Sequence, residues 1–273
     1  MSTASPEPGA GAPAEGSAAA DPSLFVQSLA RGLAVMAAFD AEHRELTLSQ
    51  AAARAGLSRA SARRLLHTLV ELGYASTDGS SFALTPSVLR FGWAYLSGQP
   101  FAELARPVLQ RLSDTLGESA SAAELDGTEV VYVQRVETKR IMRVDIRLGT
   151  RFPAAWTSMG RVLLAGSDPA GWPALLAASL PSAPPSAKVT DADALSELLH
   201  QVRRRGYCII DQELEPGLRS VAVPVRGPSG RVEHALNVSL RSAQDESAER
   251  AGDRVLPALQ AAAAELEAAL GLA

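Results

Sequence analysis

The chain has 273 residues, 47% apolar and 21% charged, with a formal net charge of −4; this is the make-up of a soluble globular protein with room for two domains. A single cysteine, Cys208, excludes an internal disulfide and fits a reducing cytoplasm. Apolar runs such as 162–165 fall far short of the ~20 residues that cross a bilayer, so no membrane partner is expected.

Residues 1–22 are mostly Ala, Gly, Pro, Ser and Glu, with neither the basic start nor the apolar stretch of a signal peptide, and are expected to be a disordered tail. The charge is unevenly divided. Residues 24–98 carry seven arginines, no lysine and five acidic residues, a net +2, whereas 99–273 carry a net −3. A mildly basic module joined to an acidic one points to a polyanion meeting only the first.

Within that first module, residues 23–98, a helix is predicted over 25–39, with Leu29, Leu33, Met36 and Ala37 on one face. A second helix starts at Leu48, opened by Thr47 or Ser49 and closed at Gly56, which can take the left-handed conformation a helix end favours. Ser58 is placed to cap a third helix. There Ala62, Leu65, Leu66, Leu69 and Leu72 fall on one side, and Ala60, Arg63, Arg64 and His67 on the other, with Arg59 at the edge. The run "YASTDGSSFALT" then reads as two strands around the Asp78-Gly79 turn.

An isolated helix with a basic face reads as solvated surface. The Gly-containing turn, the preceding helix and the hairpin change that reading: together they make a winged helix-turn-helix whose third helix can enter a major groove. The expected contacts with double-stranded operator DNA are Ser58, Arg59, Ala60, Ser61, Arg63, Arg64 and His67. The small Ala60 and Ser61 permit close approach.

The segments "VQSLARGLAVMAAF", "LTLSQAAARAGLSRASARRLLHTLVELGYAS" and "FALTPSVLRFGWAYL" resemble the winged-helix domain of the IclR family of bacterial transcription regulators, collinearly over nearly all of 25–96.

The second module begins with a leucine-rich helix, a linker over 99–118, followed by a domain over 119–273. "EVVYVQRVE" and "IMRVDIRLG" read as strands, the latter alternating Met142, Val144 and Ile146 against Arg143, Asp145 and Arg147. Pro153 ends the extended run, and Thr157 or Ser158 opens a helix through Ala165. Residues 191–205 form another helix, basic in its last turn. "YCIID", "SVAVPV" and "ALNVSL" read as strands and 245–270 as a closing helix. Helices framing a largely antiparallel sheet give an α+β fold class. Trp93 and Tyr95 are expected to pack within the helix between the modules.

"LGTRFPAAWTSMGRVLLA" and "RGYCIIDQELEPGLRSVAVPVRGPSGRVEHALNVSL" are similar to the family's GAF-like effector-binding domain. "TSMGRVLLA" is most similar to the subgroup governing protocatechuate, 4-hydroxybenzoate and β-ketoadipate catabolism. By position, the resemblance implies a pocket with Val144, Phe152 and Leu218 as apolar wall. Ser158 and Met159 would offer backbone N–H groups at a helix start, and Ser220, Asn237 and Ser239 polar side chains. A carboxylate would be held mainly by the helix start at Thr157 to Gly160, with Arg151 at the strand end as a possible helper. The chain departs from many relatives in the bulk of Trp156 and in having Asn237 where they have a small residue.

An enzyme finds little support. The four histidines, His43, His67, His200 and His234, stand apart, without metal-ligand spacing. There is no Gly-x-Ser-x-Gly elbow and no phosphate-binding glycine loop. Asp211, Glu213 and Glu215 could form a carboxylate pair or metal corner, but without partner ligands they read as a solvated turn. Cys208 reads as buried. No catalytic residue, metal or cofactor is expected. The resulting expectation is a cytoplasmic, ligand-responsive regulator acting as a homodimer or dimer of dimers. Its effector would be a small, aromatic organic acid. The alternatives are a second domain that only oligomerises, or a different organic acid; whether transcription is repressed or activated stays open.

Overall fold

Two helix N-caps set the helix starts in the first unit of the computed structural model, which describes residues 24–98, 100–138, 146–242 and 246–271. The chain divides into two units, Met1–Gly98 and Gln99–Ala273. The first holds α1 (Gln27–Ala37), β1 (Glu45–Thr47), α2 (Leu48–Arg54), α3 (Arg59–Glu71), β2 (Ala75–Thr77), β3 (Ser81–Leu84) and α4 (Leu89–Ser97). Thr47, not Ser49, caps α2: its hydroxyl accepts from Gln50 N while the Gln50 side chain accepts from Thr47 N, a capping box. Gly56 follows α2 at φ +64°, and Ser58 Oγ accepts from Ser61 N to start α3.

Ala51, Leu66, Leu69, Val35 and Phe82 close the small core of this unit. Leu72, expected on the buried side of α3, is 63% exposed because the helix ends at Glu71 and Leu72 is its C-cap, past the last packed turn. The stripe expected on α1 is likewise mostly unpacked: Val35 is buried, but Leu29 and Leu33 face solvent. Trp93 and Tyr95 on α4 are exposed, not packed as expected. The β2–β3 hairpin turns at Asp78, whose Oδ1 accepts from Ser80 N and Ser81 N. An unforeseen strand, β1, pairs antiparallel with β3, placing Leu46 opposite Phe82, so the wing is three-stranded.

The second unit contains α5 (Pro100–Leu116), β4 (Ser119–Asp126), β5 (Glu129–Val136), β6 (Arg151–Pro153), α6 (Ser158–Gly166), α7 (Trp172–Ser179), α8 (Ala192–Arg205), β7 (Cys208–Asp211), β8 (Leu218–Arg226), β9 (Val232–Arg241) and α9 (Ala248–Ala269). Among the described residues, its strands are ordered β6-β5-β4-β9-β8-β7, every neighbour antiparallel. Helices α5 and α9 cover one face, over Ala120, Ala122, Val223, Leu236 and Val238. Helices α6 and α8 cover the other, over Ala123, Val130, Tyr132, Ala222 and Ala235. This alternation along each strand is what a sheet buried on both sides requires.

Of the strand expected at "IMRVDIRLG", Met142, Arg143, Val144 and Asp145 lie outside the described residues; Ile146 to Gly149 form the approach to a turn, with Gly149 at φ +82°. Residues 1–22 also lie outside. No helix among the described residues is long and apolar enough to cross a membrane.

Candidate functional site

Helix α3 presents its basic residues outward. Arg59, Ala60, Arg63, Arg64 and His67 are exposed and Ser61 is half-buried, while Ala62, Leu66 and Leu69 hold the opposite side in the core. Among the described residues, Arg59, Arg63 and Arg64 have no ion-pair partner, whereas Arg54 on the neighbouring α2 is paired with Asp40 at 2.6 Å. Three arginines left un-neutralised on one helix face favour an anionic partner. The His67 ring sits edge-on to Phe82 at 5.9 Å, tying this face to the wing.

The second site is on the sheet face beneath α6. Register brings Ser121, Asn237 and Ala222 into one row across β4, β9 and β8, and Ser119, Ser239 and Ser220 into the next. Thr157 caps α6 by accepting from Gly160 N at 3.0 Å. Ser158, the first residue of α6, then lies with its Oγ 2.7 Å from Ser220 Oγ. Asn237 Nδ2 donates to Ser220 Oγ at 2.8 Å and to Ser239 Oγ at 3.4 Å. So four of the residues named from sequence, Ser158, Ser220, Asn237 and Ser239, form one hydrogen-bonded group. Asn237 is 2% exposed, and among the described residues its Oδ1 has no hydrogen-bond partner. A buried acceptor in that state carries a desolvation cost that a donor group would relieve.

The N–H groups of Ser158 and Met159 belong to the first turn of α6, where no intrahelical acceptor exists. Leu218, half-buried at the start of β8, shares the face of Ser220. Phe152, half-buried on β6, meets Tyr132 edge-on at 5.8 Å. Val144 falls outside the described residues. Helix α6 packs closely on the turn before it: a Cβ on Gly160 would collide with the Ala154 backbone, so only glycine fits there.

Residues 28–79 match the IclR helix-turn-helix domain, and residues 93–268 match the bacterial transcriptional regulator IclR C-terminal domain. The chain belongs to the IclR family of transcriptional regulators. It is similar to the Pca regulon regulatory protein of Pseudomonas putida, 45% identical over 243 residues that cover 89% of this chain and 83% of that one. It is 36% identical to the p-hydroxybenzoate hydroxylase transcriptional activator of Acinetobacter baylyi, over 89% of this chain and 91% of that protein. Among solved structures, a transcriptional regulator of Rhodococcus sp. RHA1 superposes with a TM-score of 0.74 at 45% identity, covering 91% of this chain and 99% of the other. An IclR homologue of Microbacterium hydrocarbonoxydans complexed with 4-hydroxybenzoate gives 0.74 at 25% identity, covering 90% and 100%. This chain is therefore an IclR-type regulator with a winged helix-turn-helix domain and a C-terminal α/β effector-binding domain.

Several side chains of this IclR domain differ from their sequence reading. Arg151 does not reach the Ser158 group; it is committed to Asp126 at 2.6 Å and Glu129 at 2.8 Å on the exposed edge. The acidic run is not a solvated turn. Glu213 is buried and chelates Arg161 of α6, and Asp211 pairs with Arg219 at 2.9 Å. Among the described residues, no group of three or more His, Cys, Asp or Glu side chains could hold a metal ion. The bulk of Trp156 is absorbed below α6, its indole N–H donating to Val189 O at 3.0 Å. Cys208 is buried, and burial pushes its thiol up to about 11, with nearby Arg161 pulling the other way.

Arg135 was missed by sequence reasoning. Its guanidinium is buried beside the serine rows and donates Nη1 to Ser121 Oγ at 2.9 Å. No sequence pattern marks it: the register of β5 against β4 shifts between Ala122 and Ala123, and this bulge turns Arg135 to the α6 face against the strand's alternation.

Proposed function

We propose that this regulator is cytoplasmic, binds an inverted-repeat operator as a homodimer or a pair of dimers, and answers to a hydroxylated aromatic acid, controlling genes for its catabolism. It has no catalytic role in this reading. The observation that carries it is the Ser158–Ser220–Asn237–Ser239 group with its unpartnered Asn237 Oδ1. A buried acceptor surrounded by hydroxyls accepts a hydrogen bond from a ring hydroxyl, and Phe152, Tyr132 and Leu218 on the same sheet face supply apolar surface for the ring. The names of the relatives support the substrate class: two are regulators of the Pca regulon and of p-hydroxybenzoate hydroxylase, and one structural neighbour holds 4-hydroxybenzoate.

The test is calorimetry with 4-hydroxybenzoate, protocatechuate and benzoate on the wild type and on Ser239→Ala and Asn237→Ala. At least one hydroxylated acid should bind more tightly than benzoate. Leaving its hydroxyl unpaired costs about 1–3 kcal/mol, so Asn237→Ala should narrow that gap most and Ser239→Ala partly. Equal binding of benzoate and the hydroxybenzoates by the wild type would overturn the assignment of the hydroxyl to this group.

A further inference from the structure

The polar rows on the α6 face of the sheet extend one strand further, to a charge. Arg135 of β5 lies opposite Ser121, which lies opposite Asn237. Strict alternation from Tyr132, which packs on the α6 side, would have sent Arg135 to the α5/α9 side. The bulge between Ala122 and Ala123 reverses this, and Val136 packs against the α5/α9 core in its place. Bulges recur next to functional sites because they re-aim one side chain at the cost of a ladder bond.

We propose that Arg135 is the anchor for the effector's carboxylate, and that Glu137 is an internal substitute for that carboxylate. This rests on the effector reading above and adds to it the charge of the ligand and the residue that reads it.

The two members of the Arg135–Glu137 pair differ sharply in environment. The Arg135 side chain is 6% exposed and that of Glu137 is 60% exposed, the contact being a single Nε–Oε1 bond of 3.0 Å. A buried guanidinium requires an anion, yet a solvated carboxylate held at one edge is a weak partner. The same domain shows what a committed pair looks like: Arg161 and Glu213 are both buried and joined by two parallel bonds. A carboxylate gains most from a guanidinium in that bidentate form. Arg135 is thus neutralised in an exchangeable way at the end of a row that leads, through Ser121, to the unpartnered Asn237 Oδ1. Neighbouring strands lie about 4.8 Å apart, so the Arg135 and Asn237 backbones are separated by about 10 Å. That spacing is of the order of one aromatic ring with a carboxylate at one end, a hydroxyl donor at the other and a hydrogen bond at each. The ligand class is a hydroxylated monocarboxylate.

The test compares 4-hydroxybenzoate with its uncharged isostere 4-hydroxybenzamide by calorimetry on the full chain. Arg135→Gln should weaken the acid at least about tenfold and change the amide little, since only the charge-assisted bond is lost. Glu137→Gln should tighten the acid several-fold and leave the amide unchanged, because the competing carboxylate is gone. Arg135→Gln binding the acid as the wild type does, or losing acid and amide by the same factor, overturns the proposal. If Arg135→Gln does not fold, as judged by melting and operator binding, Glu137→Gln decides: acid affinity equal to or below wild type overturns it. A wild type that binds neither hydroxybenzoate nor protocatechuate fails the aromatic reading before any variant is made; if it binds β-ketoadipate instead, the same two variants test Arg135 on that acid. A wild type that binds none of these acids overturns both readings.

Discussion

The guanidinium of Arg161 and the carboxylate of Glu213 meet through two parallel bonds, Nη1–Oε1 at 3.0 Å and Nη2–Oε2 at 2.7 Å, with both side chains buried. Arg161 Nε also donates to Ala155 O at 2.7 Å, and Glu213 O accepts from Ser186 Oγ. The pair therefore fastens α6 both to the turn before it and to the segment between β7 and β8. Removing one partner strands a buried charge. Arg161→Met should cost about 3–5 kcal/mol, and the double variant Arg161→Met with Glu213→Leu should be more stable than either single variant. Urea denaturation of the three proteins checks this; a double variant as unstable as the sum of the singles would mean zero coupling, with each side chain acting through its other contacts and not through the pair.

Arg63 and Arg64 stand on the exposed face of α3 without an ion-pair partner among the described residues. If Arg63 pairs with a guanine, Arg63→Ala should weaken operator binding by about 1–3 kcal/mol and relax specificity at one base pair. If the contact is a phosphate, affinity should fall on all sequences and the salt slope should drop by about one. Titrations at several salt concentrations separate the two. Unchanged affinity in both Arg63→Ala and Arg64→Ala would remove α3 from the recognition role.

The first unit was legible because its signals are local. Thr47 and Ser58 announce caps, Gly56 a left-handed residue and Asp78-Gly79 a hairpin, and each acts within four residues of itself. The strand β4 was not legible: "SASAAELD" lacks the β-branched residues that mark a strand, and it is extended because it lies between β5 and β9 with helices on both sides. The Ser158–Ser220 contact could be inferred only through the family resemblance, since 62 residues separate its partners. Arg135 was hidden by the bulge, which breaks the period that any reading of alternation assumes. The carboxylates of Asp211 and Glu213 looked solvated because their arginines are distant in sequence or on the neighbouring strand.

Leu29 and Leu33 of α1 are exposed while Val35 is buried. Two leucines on one helix face, one turn apart, form an apolar stripe that a second copy would cover. A half-site per winged helix also demands two copies for an inverted repeat. Leu29→Glu with Leu33→Lys should shift the protein toward monomer and reduce operator affinity without altering the melting of the second unit. Analytical ultracentrifugation at micromolar concentration reads the outcome; a dimer unaffected by both changes would place the interface elsewhere.

Asp211 lies at the end of β7 with Oδ1 accepting from Arg219 Nε at 2.9 Å and Ser242 Oγ at 3.0 Å. Burial alone would raise its pKa, but these bonds and the Arg219 charge hold it below the ordinary value. A depressed carboxylate contributes stability that is complete above its unfolded pKa, near 4, and is lost as pH falls through the lower folded value. Arg219 is itself buried and also donates to the carbonyls of Glu246 and Ser247 ahead of α9. Protonating Asp211 therefore weakens the anchorage of the closing helix. Asp211→Asn should be less stable than wild type at pH 7, and the gap should shrink as pH drops below about 4, where the wild type loses the same charge. Guanidinium melts at pH 7 and pH 3 measure both differences. A gap of constant size at the two pH values would mean that the carboxylate's charge contributes nothing and that Asp211 acts only as a hydrogen-bond acceptor.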